Sequence, residues 1–391
     1  MPLVESQPAG SSSAAPINLS SAAETRGRIV SLDALRGFDM FWIIGADALV
    51  QALNKLANGN PIVAALANQL DHVPWQGFHA YDLIFPLFVF IVGVSIVLAL
   101  TKRVATLGRG PATAQVFRRF VILYLFGLFA YGGISKGYEH FRLLGVLQRI
   151  ALCYLFGGLA FIYLKPKAIL ALCASLLIGY WALMTFVPVP GIGPGNFAEG
   201  KNLANYIDAH YLPFFKWDGD HDPEGLLSTL PAVATCLLGI FAGLLLRNRE
   251  VPDGKKVKLL FAFGIAGVVV GLLWGLQFPI IKKIWSSSFV LVAGGFSAML
   301  LGLFYYIVDM RKYQRWAAPF LWIGSNAITI YMIAHVVELE KLATRIVGGE
   351  IQSSLESVHP GLGELLITTV VLGAAILFCR FLYNRKIFLK V

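Results

Sequence analysis

The stretch Gln69–Gly93, QLDHVPWQGFHAYDLIFPLFVFIVG, begins with carboxylates and imidazoles and ends as continuous hydrocarbon, which runs on through VSIVLAL to Leu100. An apolar run of this length matches the roughly 20 residues that a helix needs to cross a bilayer. Asp71, His72, His79 and Asp82 therefore stand at the mouth of a membrane helix, with Pro86 just where that helix begins. Polar groups so close to lipid need a reason, and the rest of the chain supplies one.

Of the 391 residues, 57% are hydrophobic and only 14% charged, with a mean hydropathy of +0.70. A soluble domain has no use for so much apolar surface, so the chain reads as an all-α polytopic membrane protein. About ten spans are expected, near 34–53, 80–101, 116–134, 143–164, 167–188, 225–246, 257–278, 287–309, 318–338 and 362–383. Residues 1–28 are rich in Ser, Ala and Pro without an apolar core, and read as a disordered cytoplasmic tail and not a signal peptide. Residues 29–391 then form one transmembrane domain.

Most Lys and Arg fall in alternate loops, 102–119, 165–167, 247–258 and 311–315, and near the two ends. The positive-inside rule then puts both termini in the cytoplasm. The net charge of +10 is accounted for by this topology and by attraction to inner-leaflet lipids. It does not indicate a nucleic-acid partner, since the basic residues are dispersed and no binding module is present. Cys153, Cys173, Cys236 and Cys379 lie within spans, outside any CxxC pattern, so neither a disulfide framework nor a metal site is expected. Walker, GxSxG and HExxH motifs are absent.

Ionisable groups inside membrane helices are expensive and mark function by default. The first span holds Asp33, Arg36, Asp39 and Asp47; as a straight helix it would place Arg36 and Asp47 on nearly one face, about 16 Å apart. Arg36 paired with Asp33 or Asp39 also makes sense as a packing ion pair, and Asp47 as a headgroup-layer residue. Arg149 lies two turns inside the fourth span, so it should meet a carboxylate, a carbonyl or a ligand phosphate. Asn326 and His335 share the ninth span on opposed faces. Lys283, Trp285 and Ser287 lead into the eighth span, where a Trp ordinarily anchors at the interface. Asp222 and Glu224 lead into the sixth. The loop 189–224, with Trp217, Asp218 and Asp220, has the aromatic and carboxylate content of a glycan-contacting lid.

The segments SLDALRGFDMFWII, HVPWQGFHAYDLIFPLFVFIVGVS, GVLQRIALCY, DPEGLLSTLPAVATCLLGIFAG, KKIWSSSFVLVAGGFSAMLLG and WIGSNAITIYMIAHVV occur in the order and spacing of the heparan-alpha-glucosaminide N-acetyltransferase family. The chain resembles that family over about residues 29–384, as a compact bacterial-type member without the extra luminal domain of the animal enzyme.

The resemblance implies transfer of acetyl from cytosolic acetyl-CoA to the amino group of a glucosamine-type sugar across the membrane, in a bacterial inner membrane. The family histidine sits in H-x-x-W-[NQ]-G before D-[LI]-[IV]-F-P, which matches His72, with Trp75, Gln76 and Asp82 in the same motif; His79 is off the pattern. The family's polar residue near the outer end of the first span, typically Asn, falls on Asp47. His72 and Asp47 are thus the expected catalytic residues. Trp75, Gln76, Asp82, Arg149, Glu224, Lys283, Ser287 and Asn326 are expected at the substrate, Arg36 and Arg149 at acetyl-CoA, with no metal and with a homodimer possible. An amine attacking a thioester needs a base, and His72 suits that role or that of acetyl-accepting nucleophile. A secondary transporter of a sugar or small anion is the competing reading, since it would also show intramembrane Asp, Arg and His.

Overall fold

The computed structural model describes residues 29–133 and 137–389; the expected tail 1–28 lies outside them. Among the described residues no strand forms, and two isolated bridges, Gln76 to Ile281 and Val189 to Gly193, tie loops together. In chain order the helices are α1 (Val30–Phe41), α2 (Asp47–Leu56), α3 (Pro61–Gln69), α4 (Ile84–Leu107), α5 (Arg109–Ala130), α6 (Val146–Tyr163), α7 (Pro166–Phe186) and α8 (Leu203–Tyr211). There follow α9 (Thr229–Arg247), α10 (Asp253–Gly275), α11 (Ser287–Phe304), α12 (Ala318–Ser325), α13 (Ala327–Ile333), α14 (Leu339–Val347), α15 (Gly349–Val358) and α16 (Leu362–Asn384).

Eight helical segments among the described residues are long and apolar enough to cross a membrane, and a bent pair, Arg315–Ser325 with Ala327–Val337, makes up to nine. The first expected span falls on α1 and α2. These two helices are not among the eight. α4 is apolar on every side because it is enclosed by other helices. Pro86 is tolerated in its first turn, where a backbone N–H has no helical partner to lose. Gly108, at φ +85°, ends α4 and lets α5 start at once.

Two close crossings hold the bundle. A Cβ on Gly93 of α4 would collide with the Cys236 carbonyl of α9, and one on Gly239 with the Phe90 carbonyl. Gly37 of α1 meets the Phe320 carbonyl of α12 in the same way, and Gly324 the Asp33 carbonyl. Lipid offers no hydrophobic drive for helix association, so backbone proximity at small residues supplies the contact.

Three features depart from the expectation. The first span is not one straight helix: a π-helical turn, Trp42–Ala46, with Gly45 at φ +118°, separates α1 from α2, so the even polar stripe from Arg36 to Asp47 does not form. The ninth span bends by 67° at Asn326, which lies outside helical geometry at φ −128°, ψ 30°. Trp285 is not an interface anchor but a core residue, 1% exposed, with its indole N–H donated to Thr235 Oγ1 at 3.1 Å. The expectation missed it because an indole at a span boundary has the same sequence signature whether it faces lipid or the bundle.

Candidate active site

The loop before α4 folds onto one carboxylate. Asp82 is 1% exposed; its Oδ2 accepts from the backbone N–H of His79 at 3.0 Å and of Val73 at 3.3 Å, and its Oδ1 lies 2.8 Å from Nδ1 of His72. Asp82 is thus both the cap of the helix entry and the partner of the histidine. A carboxylate accepts only, so in the neutral ring the proton sits on Nδ1 and the lone pair on Nε2. The His72 side chain is 49% exposed, open to reactants. His79 instead points its Nδ1 at the Asp71 carbonyl, 3.0 Å away.

Lys282, which sequence reasoning passed over in favour of its neighbour, completes the group. Its Nζ stands 2.8 Å from Nδ1 and 3.0 Å from Nε2 of His72, and 3.3 Å from Asp82 Oδ1. Burial pulls its ammonium below the ordinary lysine range, against the attraction of Asp82. Lys282, Lys283 and Arg142 all belong to the side where basic residues are scarce, and that scarcity was the signal available in the sequence.

Three adjoining cavities run from His72 into the bundle. The first, about 580 Å³, is lined by His72, Arg142, Trp217, Glu224, Lys282, Lys283 and Trp285, among others. The second, about 260 Å³, shares His72, Phe85, Tyr131, Glu224 and Lys282 with it. The third, about 250 Å³, shares Phe88, Leu147, Ile150, Ala327 and Ile328 with the second and is lined by Arg36, Arg119, Tyr154 and Asn326. Arg36 donates to Ser95 Oγ at 2.9 Å and to Asp33 at 3.2 Å. From Asp82 to Ser95 along α4 is about 20 Å, so the cavities traverse much of the thickness of a bilayer core. The Asn326 amide, the Tyr154 hydroxyl and Arg119 Nε are buried there without a hydrogen-bond partner among the described residues. Polar groups so enclosed are normally satisfied, and a ligand in the cavity would satisfy them.

The wall of the first cavity is an ion cluster. Arg142, 4% exposed, donates to both oxygens of Asp222 at 2.9 and 2.7 Å and to Glu224 at 2.5 Å. Its guanidinium lies between the rings of Tyr131 and Trp217, at 4.7 and 5.1 Å. Burial raises the Glu224 carboxyl above its usual range, and Arg142 offsets part of the rise. Glu199, Asp218 and His221 bring potential metal-ligating atoms within 4.8 Å of one another. The cation among them is Lys283, 2.8 Å from Glu199 and 3.0 Å from Asp218. Partial burial works against that ammonium, but the two carboxylates outweigh it and raise its pKa.

The other expected residues divide. Glu224, Lys283, Asn326 and Arg36 line the cavities; Asn326 and His335, expected on opposed faces, line different cavities. The Tyr81 hydroxyl donates to the Trp42 carbonyl at 3.5 Å and feels the Asp47 carboxylate nearby, and the Tyr81 ring lies 4.7 Å from that of His72, so Tyr81 stands between Asp47 and the histidine. Arg149 is fully enclosed; it donates to the Pro223 and Gly225 carbonyls and Ser228 and stacks over Trp285. Backbone carbonyls answer the need of a membrane arginine for partners, and Arg149 is not among the residues that line the three cavities. Ser287 is likewise closed in, bonded to the Leu177 carbonyl at 2.7 Å. Trp75 donates to the Phe197 carbonyl at 2.9 Å, and Gln76 bridges to Ile281, so both fix the loop on which His72 and Lys282 meet.

A family model described as "Heparan-alpha-glucosaminide N-acetyltransferase, catalytic" matches residues 28–271. The heparan-alpha-glucosaminide N-acetyltransferase of Mus musculus is 28% identical over 386 residues, covering 82% of this chain and 56% of the mouse protein. That of Homo sapiens is 27% identical over 382 residues, covering 82% and 55%. The chain spans about half the length of these curated relatives. With a motif histidine held by a carboxylate at the head of a cavity through a helical membrane bundle, the chain belongs to the heparan-alpha-glucosaminide N-acetyltransferase family.

Proposed function

We propose that the protein is a transmembrane N-acetyltransferase that moves acetyl from cytosolic acetyl-CoA to the amino group of a glucosamine-type sugar on the opposite side of a bacterial inner membrane. The observation that carries this reading is the pairing of two ends. The half-open His72, held by Asp82, faces a cavity walled by Trp217, Glu224 and Lys283. The far cavity presents Arg36, Arg119 and the unpartnered Asn326 and Tyr154. Arg36 and Arg119 suit the phosphates of the donor, and Asn326 and Tyr154 the amides of its pantetheine arm. Aromatic faces and carboxylates suit a sugar amine in the first cavity. His72 Nε2 takes a proton from the amine as its nitrogen attacks the thioester carbon, and returns it to the departing sulfur.

The test is incubation of detergent-purified protein with radiolabelled acetyl-CoA and a panel of amino sugars. Label in N-acetylated sugar supports the reading. Uptake of unmodified sugar into proteoliposomes, without acetylation, would make the protein a transporter instead.

A further inference from the structure

We propose that Lys282 is a catalytic residue of this transfer, its ammonium holding the thioester oxygen as negative charge develops on it; the proposal rests on His72 being the base. Lys282 Nζ is 3.0 Å from His72 Nε2, the nitrogen to which the proposed function assigns the proton of the amine. Reacting atoms approach to about 3–3.5 Å before bond formation, so the carbonyl oxygen of a thioester in that position falls within reach of Lys282. Lys282 also lines both cavities that meet at His72, so an acyl group arriving from one and an amine from the other converge on it.

Lys282 is also the counter-charge of the buried Asp82, 3.3 Å from its Oδ1, and that pairing holds the ammonium beside His72. The turn that carries Lys282 is fixed from several sides. Its carbonyl accepts from the Trp285 N–H at 2.8 Å, the Ile281 N–H donates to Ser286 Oγ at 3.1 Å, and Gln76 bridges to Ile281. Trp285 is held at φ +51°, a conformation that a non-glycine residue keeps only when its surroundings impose it. Such a donor is in place before charge develops, the condition under which electrostatic stabilisation is largest. Burial weakens the hold of Lys282 on its proton, which favours a strong hydrogen bond to an oxyanion.

In the step, the amine nitrogen bonds to the carbonyl carbon and the C=O pair moves onto the oxygen beside Lys282. The amine proton passes to His72 Nε2. Collapse restores C=O and breaks the C–S bond, and the proton moves from His72 to sulfur. Lys282 remains protonated throughout.

Turnover of the purified full chain is compared for wild type, Lys282→Met, Lys282→Arg and His72→Ala, together with CoA binding by calorimetry. Lys282→Met is expected to lose about 10²–10³ in kcat, as for removal of an oxyanion donor, with CoA affinity and donor KM little changed. Lys282→Arg, which restores the charge, is expected to recover at least about tenfold. Lys282→Met within about threefold of wild type, beside an inactive His72→Ala, overturns the role of Lys282 and leaves the acetyltransferase reading standing. Parallel loss of CoA binding and kcat, unrelieved by Arg, makes Lys282 structural and also overturns it. No acetylation by wild type on any amino sugar overturns the underlying reading itself.

Discussion

Oδ1 of Asp82 lies 2.8 Å from Nδ1 of His72, joining a closed-in carboxylate to a half-open imidazole. An amide at position 82 would donate through its NH2 to that nitrogen and force the ring proton onto Nε2, the wrong tautomer for a base. Asp82→Asn is expected to cut turnover by about 10²–10⁴ with CoA binding retained. His79→Ala should cost far less, because its ring faces the Asp71 carbonyl. Steady-state kinetics at matched folded protein decide it, and a wild-type rate for Asp82→Asn would remove the pair from the mechanism.

Asp47 lies one side chain removed from His72, with Tyr81 between them. Asp47→Asn keeps an acceptor there and should retain much of the activity, whereas Asp47→Leu should lose most of it. Tyr81→Phe should resemble Asp47→Leu, and near-normal rates in all three would leave Asp47 a headgroup-layer residue.

Removing Arg142 strands two carboxylates away from water. Arg142→Met is expected to destabilise by about 3–5 kcal/mol, as for a broken buried ion pair, and Arg142→Met with Asp222→Asn and Glu224→Gln should regain part of it. Thermal unfolding in detergent reports both; a single variant as stable as wild type would mean that the cluster does not hold the loop.

Ala327, 5% exposed, lines both the second and third cavities. Ala327→Phe should obstruct the passage and raise the KM for acetyl-CoA at least about tenfold while sugar affinity is unchanged. An unaltered donor KM would show that the donor enters by another route.

Arg109→Cys and Lys201→Cys, both at exposed positions, should be labelled by an impermeant thiol reagent from opposite faces of the membrane. The native cysteines are all buried and should give no background. Labelling from one side would overturn the topology and with it a transfer across the bilayer.

The spans were legible because a twenty-residue apolar run has few alternatives, and His72 with Asp82 because they lie in one short motif. The rest depended on what was packed against what. Gly45 read as an ordinary span residue and Asn326 as a substrate candidate on an unbroken span, since a break in a membrane helix carries no compositional mark when neighbouring helices satisfy the freed backbone. Lys282 and Lys283 are adjacent and identical, yet one meets His72 and the other Glu199 and Asp218; only the turn ending at Trp285 tells them apart. Arg149 was expected to meet a carboxylate, a carbonyl or a ligand phosphate, and that backbone carbonyls and Ser228 of the protein take it was a question of tertiary contact.

The glycine crossings of α4 with α9 and of α1 with α12 leave no room for those helices to slide or spread. The far cavity is walled by α1, α4, α5, α6, α12 and α13, three of which, α1, α4 and α12, are pinned at those seams, and Phe88 and Leu147 stand where it adjoins the second cavity. Widening that junction is therefore expected to follow from trimming those two side chains, whereas libraries that loosen the glycine seams should yield unfolded protein before they yield a wider passage.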